Sequence, residues 1–272
     1  MNQRLNRPTN ASTVRMATGV ALAVATLMAG CGGGSGDDAD SEDKLYVGYY
    51  QEDPTNNPED PTPGTLIVRL PPESGAFEGQ MPFSYVGCMG GADVGTISGM
   101  RSTSGLDGDW TGTVDNVEVG GAYRGTYDAG ADEFSGTYTN AGGKVHVSGG
   151  SDCAHDIAAL GTWRLSGGST NSPSDFVISS SGGTTPTWTW PSQGTTVFYL
   201  ARVFDRNCLS ESVTSSECMM GEGQTLLPRI QYPEEFPSAK PLKDGGSYLV
   251  AVHAVNALDA RQVGFSTRIE KP

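Results

Sequence analysis

Basic residues are scarce in this chain. Seventeen Lys and Arg stand against 31 Asp and Glu, so its 272 residues carry a formal charge of −14. A phosphate backbone is gripped by a Lys/Arg-rich surface, and an acidic chain lacks one, which excludes nucleic acid as a partner. Long apolar runs are missing as well: the best stretch, 16–28, is too short to span a bilayer as a helix. Long helical periodicity is also absent, while Gly is abundant at 38 residues. No Gly-x-Ser-x-Gly elbow, His-Glu-x-x-His pair or phosphate-binding loop occurs. The three histidines lie far apart and no Cys-x-x-Cys spacing exists, which argues against zinc. With no catalytic set in sight, the chain reads as a non-enzyme.

The N-terminus holds what the rest lacks. Arg4, Arg7 and Arg15, with no acid among them, precede the short apolar stretch, the order of a secretory signal peptide. That stretch ends Leu27-Met28-Ala29-Gly30-Cys31, which resembles the lipobox of bacterial lipoproteins. The resemblance implies cleavage before Cys31 and lipidation of its sulfur, and Gly32 after the cysteine implies the outer membrane. Two or more acyl chains make a stable anchor, at about 0.8 kcal/mol per buried methylene. Loss of residues 1–30 removes three Arg and no acid, so the mature charge becomes −17. After Cys31, residues 32–43 are Gly, Ser and acid with Ala39 and cannot bury a core, so 31–43 reads as a tether.

From Lys44 onward the pattern is β. Trp110-Thr-Gly-Thr-Val114, Tyr123-Arg-Gly-Thr-Tyr127 and Phe134-Ser-Gly-Thr-Tyr138 share one template, spaced by 13 and then 11 residues. Strand side chains alternate between faces, so each large–Gly–large set lies on one face and lets a ring sit over a neighbour's glycine. The short spacing predicts an antiparallel meander over 44–165, open or closed as a barrel. Leu106-Asp-Gly-Asp-Trp110 is similar to the Gly-x-Trp strand of lipocalin-like barrels, over that strand alone. Residues 166–173 read as a linker.

Over 174–272, Trp190-Pro191 closes one strand, and Leu242-Lys-Asp-Gly-Gly-Ser-Tyr248 enters another with Tyr248, Val250, Val252 and Ala254 on one face. This resembles a fibronectin type III domain, with Trp190 as its core tryptophan and Tyr248 as its tyrosine-corner residue, bonded to backbone just upstream. Segment 205–223 is longer than the family's connection there and carries two cysteines. The fold expected is thus all-β: a Gly-rich meander or barrel, then a fibronectin-III-like sandwich. With Cys31 lipidated, Cys88, Cys153, Cys208 and Cys218 remain, and three pairings exist. Cys88–Cys153 and Cys208–Cys218 keep each bridge within one domain. In the chain-entropy model they contribute about 4 and about 3 kcal/mol.

Candidate sites are few. Asp107, Asp109, Asp115 and Glu118 stand at positions one, three, nine and twelve of a calcium-loop template with Gly112 at six, but strand and turn flank it where helices belong. The template is a weak calcium site at most. Glu52-Asp53 with Glu59-Asp60 read as a solvated loop, and Ser41-Glu-Asp-Lys44 lies in the tether. His146 and His253 fall within strand patterns, with His253 on the exposed face opposite Tyr248; His155 neighbours Asp156 beside Cys153. Trp188 is placed facing away from Trp190's side, towards solvent or the other domain, where it could stack on a sugar or a partner. These features point to a lipid-anchored outer-membrane lipoprotein acting as a protein- or glycan-binding or structural module. A barrel holding a small hydrophobic ligand is the alternative, and an envelope hydrolase comes third.

Overall fold

The structure, a computed structural model, describes residues 43–53, 63–83, 93–114, 117–142, 145–147, 155–157, 160–167, 174–259 and 261–272. Ten strands come first: β1 Lys44–Glu52, β2 Pro63–Leu70, β3 Gly75–Phe83, β4 Asp93–Ser102, β5 Gly105–Val114, β6 Val117–Asp128, β7 Glu133–Thr139, β8 Val145–Val147, β9 His155–Ile157 and β10 Leu160–Gly167. Strands β1 to β7 and β10 form a closed antiparallel barrel, in the order β1-β10-β7-β6-β5-β4-β3-β2. β1 closes it by pairing on both sides, Tyr50 with Gly64 of β2 and with Trp163 of β10. β10 continues through Ser166 and Gly167, two residues into the stretch expected to be linker.

The aromatic–Gly rows face inward. Trp110, Tyr123, Phe134, Tyr138 and Trp163 are buried in one cluster with Tyr46, Tyr50, Leu66, Met81 and Ile97. Rings interlock there: Tyr123 stacks on Trp163 at 4.1 Å and Tyr127 on Phe134 at 4.4 Å. The glycines make room for them. A Cβ on Gly125 would lie 2.3 Å from the Trp163 ring, and one on Gly161 would lie 2.4 Å from the Tyr138 ring. Among the described residues, the barrel is filled by its own side chains.

Seven strands complete the chain: β11 Ser179–Ser180, β12 Thr187–Thr189, β13 Val197–Asp205, β14 Met219–Thr225, β15 Arg229–Gln231, β16 Tyr248–Asn256 and β17 Gln262–Glu270. They form a three-stranded sheet, β11-β12-β15, and a four-stranded sheet, β14-β13-β16-β17. The two sheets share a core of Trp188, Trp190, Ile230 and Tyr232 against Tyr199, Val203, Val250 and Val252. Helix α1, Arg206–Glu211, and a 3₁₀ turn, Ser216–Cys218, lie between β13 and β14. Asp205 caps α1 by accepting the Asn207 N–H at 2.9 Å. The fold is all-β with this one short helical excursion.

A third core joins the two halves. Val47 and Ile67, on the outer face of β1 and β2, pack with Phe204, Leu209, Leu249, Ala251 and Phe265. This explains why β13 and β16 are buried at eight of nine positions each: one face meets the other sheet and the opposite face meets the barrel. Continuous burial of that kind replaces alternation by an unbroken apolar run.

Candidate functional site

The most polar buried region lies where the barrel meets the four-stranded sheet. Arg202 on β13, His253 on β16 and Thr65 on β2 are each fully buried. They sit at the outward register of otherwise apolar strands, so docking of the barrel closes them off from water. Arg202 Nε donates to Glu222 Oε2 at 2.7 Å, and its Nη1 donates to Thr65 Oγ1 at 2.8 Å. Thr65 Oγ1 lies 2.8 Å from His253 Nε2, and His253 Nδ1 lies 2.6 Å from Gln262 Oε1. Gln262 Oε1 only accepts, so Nδ1 carries the proton, and Nε2 then accepts from the Thr65 hydroxyl. The Gln262 N–H donates in turn to Gln51 Oε1 of β1 at 2.7 Å.

Burial pushes the His253 pKa down to about 3, helped by the Arg202 charge and opposed by the Gln262 hydrogen bond. The ring is therefore neutral at all ordinary pH values. A hydroxyl, an imidazole and an orienting oxygen in sequence have the outline of an activated nucleophile. Here, though, the hydroxyl is already engaged by Arg202 and covered by the sheet, leaving a reacting carbonyl no approach. The arrangement bonds two surfaces together. It is built as a latch.

The correction to the sequence reading is physical. His253 does face away from Tyr248, but that face carries Leu249 and Ala251 and is covered by the barrel rather than by water. The signal was present: Arg202 and His253 are the polar interruptions in two apolar runs, Val197-Phe-Tyr-Leu-Ala-Arg-Val-Phe204 and Tyr248-Leu-Val-Ala-Val-His-Ala-Val255.

A second cluster closes one barrel end. The Arg101 guanidinium lies over the rings of Phe134, Tyr127 and Tyr46 at 5.2, 5.5 and 5.9 Å, and Nη1 donates to the Pro71 carbonyl. Tyr46 and Tyr127 both donate to Asp132 Oδ1, at 2.8 and 2.9 Å. Burial, then the Asp132 bond, raises the Tyr46 pKa.

The other expected sites fall differently. Trp188 is fully buried in the sandwich core, and its Nε1 donates to Glu270 Oε2 at 2.9 Å. Residues two apart on a strand share a face, so Trp188 and Trp190 both point inward and Trp188 offers no stacking surface. Asp107 and Asp109 point outward on β5, an extended strand rather than a loop. Asp107 pairs with Arg124 at 3.4 Å, and Glu118 lies opposite Thr113. Six residues separate position 107 from 113 along the strand, about 20 Å of rise, so these acids are not gathered around one point. Asp115 lies outside the described residues. Among those described, no group of three or more His, Cys, Asp or Glu is placed to hold a metal ion.

Cys208 and Cys218 are joined, whereas Cys31, Cys88 and Cys153 lie outside the described residues, as do Ser41, Glu59 and Asp60. Glu52, expected in a solvated loop, ends β1 and is buried there. Across β8 and β9 the backbone of His146 pairs with Asp156 and that of His155 with Val147, and the histidine side chains lie outside the described part. The chain was compared with family models, with curated proteins and with solved structures, and none of them matches it.

Proposed function

We propose that this chain is an envelope lipoprotein, anchored to the outer membrane through lipid on Cys31, whose two β units act as a non-enzymatic module binding a protein or glycan through the outer surface. The observation that carries the reading is the packed interior. The barrel is filled by interlocked rings and the most polar buried cluster is spent on joining its two halves. Ligand sites are concave and open to the ligand; what the described part of the molecule leaves for recognition is surface. The same packing gives the small-ligand barrel no support. Trp188 is buried in the sandwich core and the described acids of 107–118 are drawn out along a hairpin, so neither a Trp188 stacking surface nor calcium is part of the proposal.

The second unit is read as a fibronectin-III-like sandwich. Its support is the strand order, β11-β12-β15 facing β14-β13-β16-β17, the core position of Trp190, and the bond from the Lys243 N–H to Tyr248 Oη at 2.9 Å. Sandwiches of this class are commonly interaction units, an analogy at the level of fold.

The anchor is tested by fractionation. The parent should sediment with membranes, whereas Cys31→Ala should stay unprocessed or enter the soluble fraction; a variant processed and sedimenting like the parent rejects the anchor. The binding arm uses the detergent-solubilised mature chain as bait in envelope extracts. Retention of a protein or glycan that an unrelated lipoprotein does not retain supports the module. Retention of nothing above background makes a purely structural role the better reading.

A further inference from the structure

β13 and β14 are antiparallel neighbours, and such a pair needs only a turn of two to five residues. Instead residues 206–218 intervene, and the barrel uses the surplus. Arg69 Nη2 donates to the Leu209 and Ser210 carbonyls at 2.6 and 2.7 Å, and Gln80 Nε2 donates to the Val213 carbonyl at 2.7 Å. Arg69 and Gln80 stand on β2 and β3. Leu209, Val213 and Cys218 are fully buried in the cluster that holds Val47 and Ile67 of the barrel.

The barrel therefore grips backbone carbonyls as well as packing on the loop's apolar side chains, and the carbonyl row is in place only in this conformation of the loop. A six-residue helix and a 3₁₀ turn do not hold a conformation by themselves. The Cys208–Cys218 bond, across a separation of 10 residues, ties the two ends of the gripped segment together.

We propose that the loop 206–218 is a redox-dependent clasp, in which the Cys208–Cys218 bond preforms the carbonyl row that Arg69 and Gln80 hold, and so keeps the barrel docked on the sheet. Opening it needs a reductant, for which a dithiol serves. The Sγ–Sγ bond breaks, two electrons and two protons give two cysteine thiols, and the dithiol closes to its own cyclic disulfide. Freeing a ring of this length raises the undocked population about a hundredfold in the chain-entropy model.

The test reads His253, which is buried because the barrel covers it. Carbethoxylation by diethylpyrocarbonate, mapped by peptide to separate His253 from His146 and His155, gives a rate proportional to the undocked fraction. Cys88 and Cys153 would also answer to a dithiol, so the oxidised Cys208→Ser/Cys218→Ser double variant carries the comparison. Its His253 should react about a hundredfold faster than the parent's, with the near-ultraviolet dichroism of the packed rings retained. Arg69→Ala/Gln80→Ala, with its disulfide intact, should also react faster. An unchanged His253 rate in the serine variant overturns the clasp. So does a fast rate there with a parental rate in Arg69→Ala/Gln80→Ala, because the bond would then act within the sandwich alone. Should the serine variant fail to fold, the Arg69/Gln80 variant still decides: a parental rate overturns the grip.

Discussion

Protonating His253 would set a positive charge beside the buried Arg202 guanidinium, in a place the docked barrel has closed to water. The unfolded chain takes up that proton near pH 6.5, whereas the folded chain takes it up only at about 3. Between those values the unfolded state binds more protons, so stability falls as pH falls. The contribution is complete above pH 6.5 and is lost progressively towards pH 3. At 1.36 kcal/mol per unit the loss amounts to at most about 5 kcal/mol. The neighbouring charges are Arg202 and its partner Glu222 on β14, and neither is removed by substitution at 253. Urea unfolding of the parent and of His253→Gln should therefore show a stability gap at pH 7 that narrows as pH falls to 4. Parallel curves would show that His253 does not couple to the fold in this way.

Strands β5, β6 and β7 show which element-scale features a sequence carries and which it hides. Their large–Gly–large rows were legible because alternation is a property of the extended backbone, and the small residue marks where a ring must pass. The inward set of Trp110, Tyr123, Phe134 and Tyr138 is a direct consequence. Gly125→Ala would push a methyl to 2.3 Å from the Trp163 ring and 2.4 Å from the Ser135 carbonyl. Overpacking of this kind costs about 1–3 kcal/mol, to be read as a lower urea midpoint at unchanged slope; a midpoint equal to the parent's would show that both the Trp163 ring and the Ser135 backbone can give way. The calcium template misled because its acids fit by position in the chain while the hairpin draws them out in a line. Trp188 shares the inward face of Trp190 by the same alternation that turns the barrel rings inward.

At the scale of the whole molecule, barrel and sandwich share a core and a buried hydrogen-bond chain. Neither half can leave the other without exposing Ile67, Phe204, Leu249 and Phe265, and without breaking the bonds that Thr65 makes to Arg202 and His253. The four tryptophans report both halves, Trp110 and Trp163 in the barrel, Trp188 and Trp190 in the sandwich, and all are buried. Variants keeping one pair, Trp188→Phe/Trp190→Phe and Trp110→Phe/Trp163→Phe, should each unfold with fluorescence and far-ultraviolet dichroism changing together at one midpoint. Two separated transitions within either variant would show halves that unfold independently.

The sequence by itself determined the features that arise from short-range chemistry. The scarcity of basic residues set the charge, and the period-two pattern set the strands. The interleaved glycines set which faces are lined by rings, and the ten-residue spacing allowed the Cys208–Cys218 bridge. Tertiary structure decided everything that depends on what covers a face. Whether the meander closes is settled by β1 finding β10 across more than a hundred residues. Whether His253 and Arg202 meet water is settled by the barrel lying on their sheet. A strand states its two faces, but only the packed neighbour determines which of them is inside.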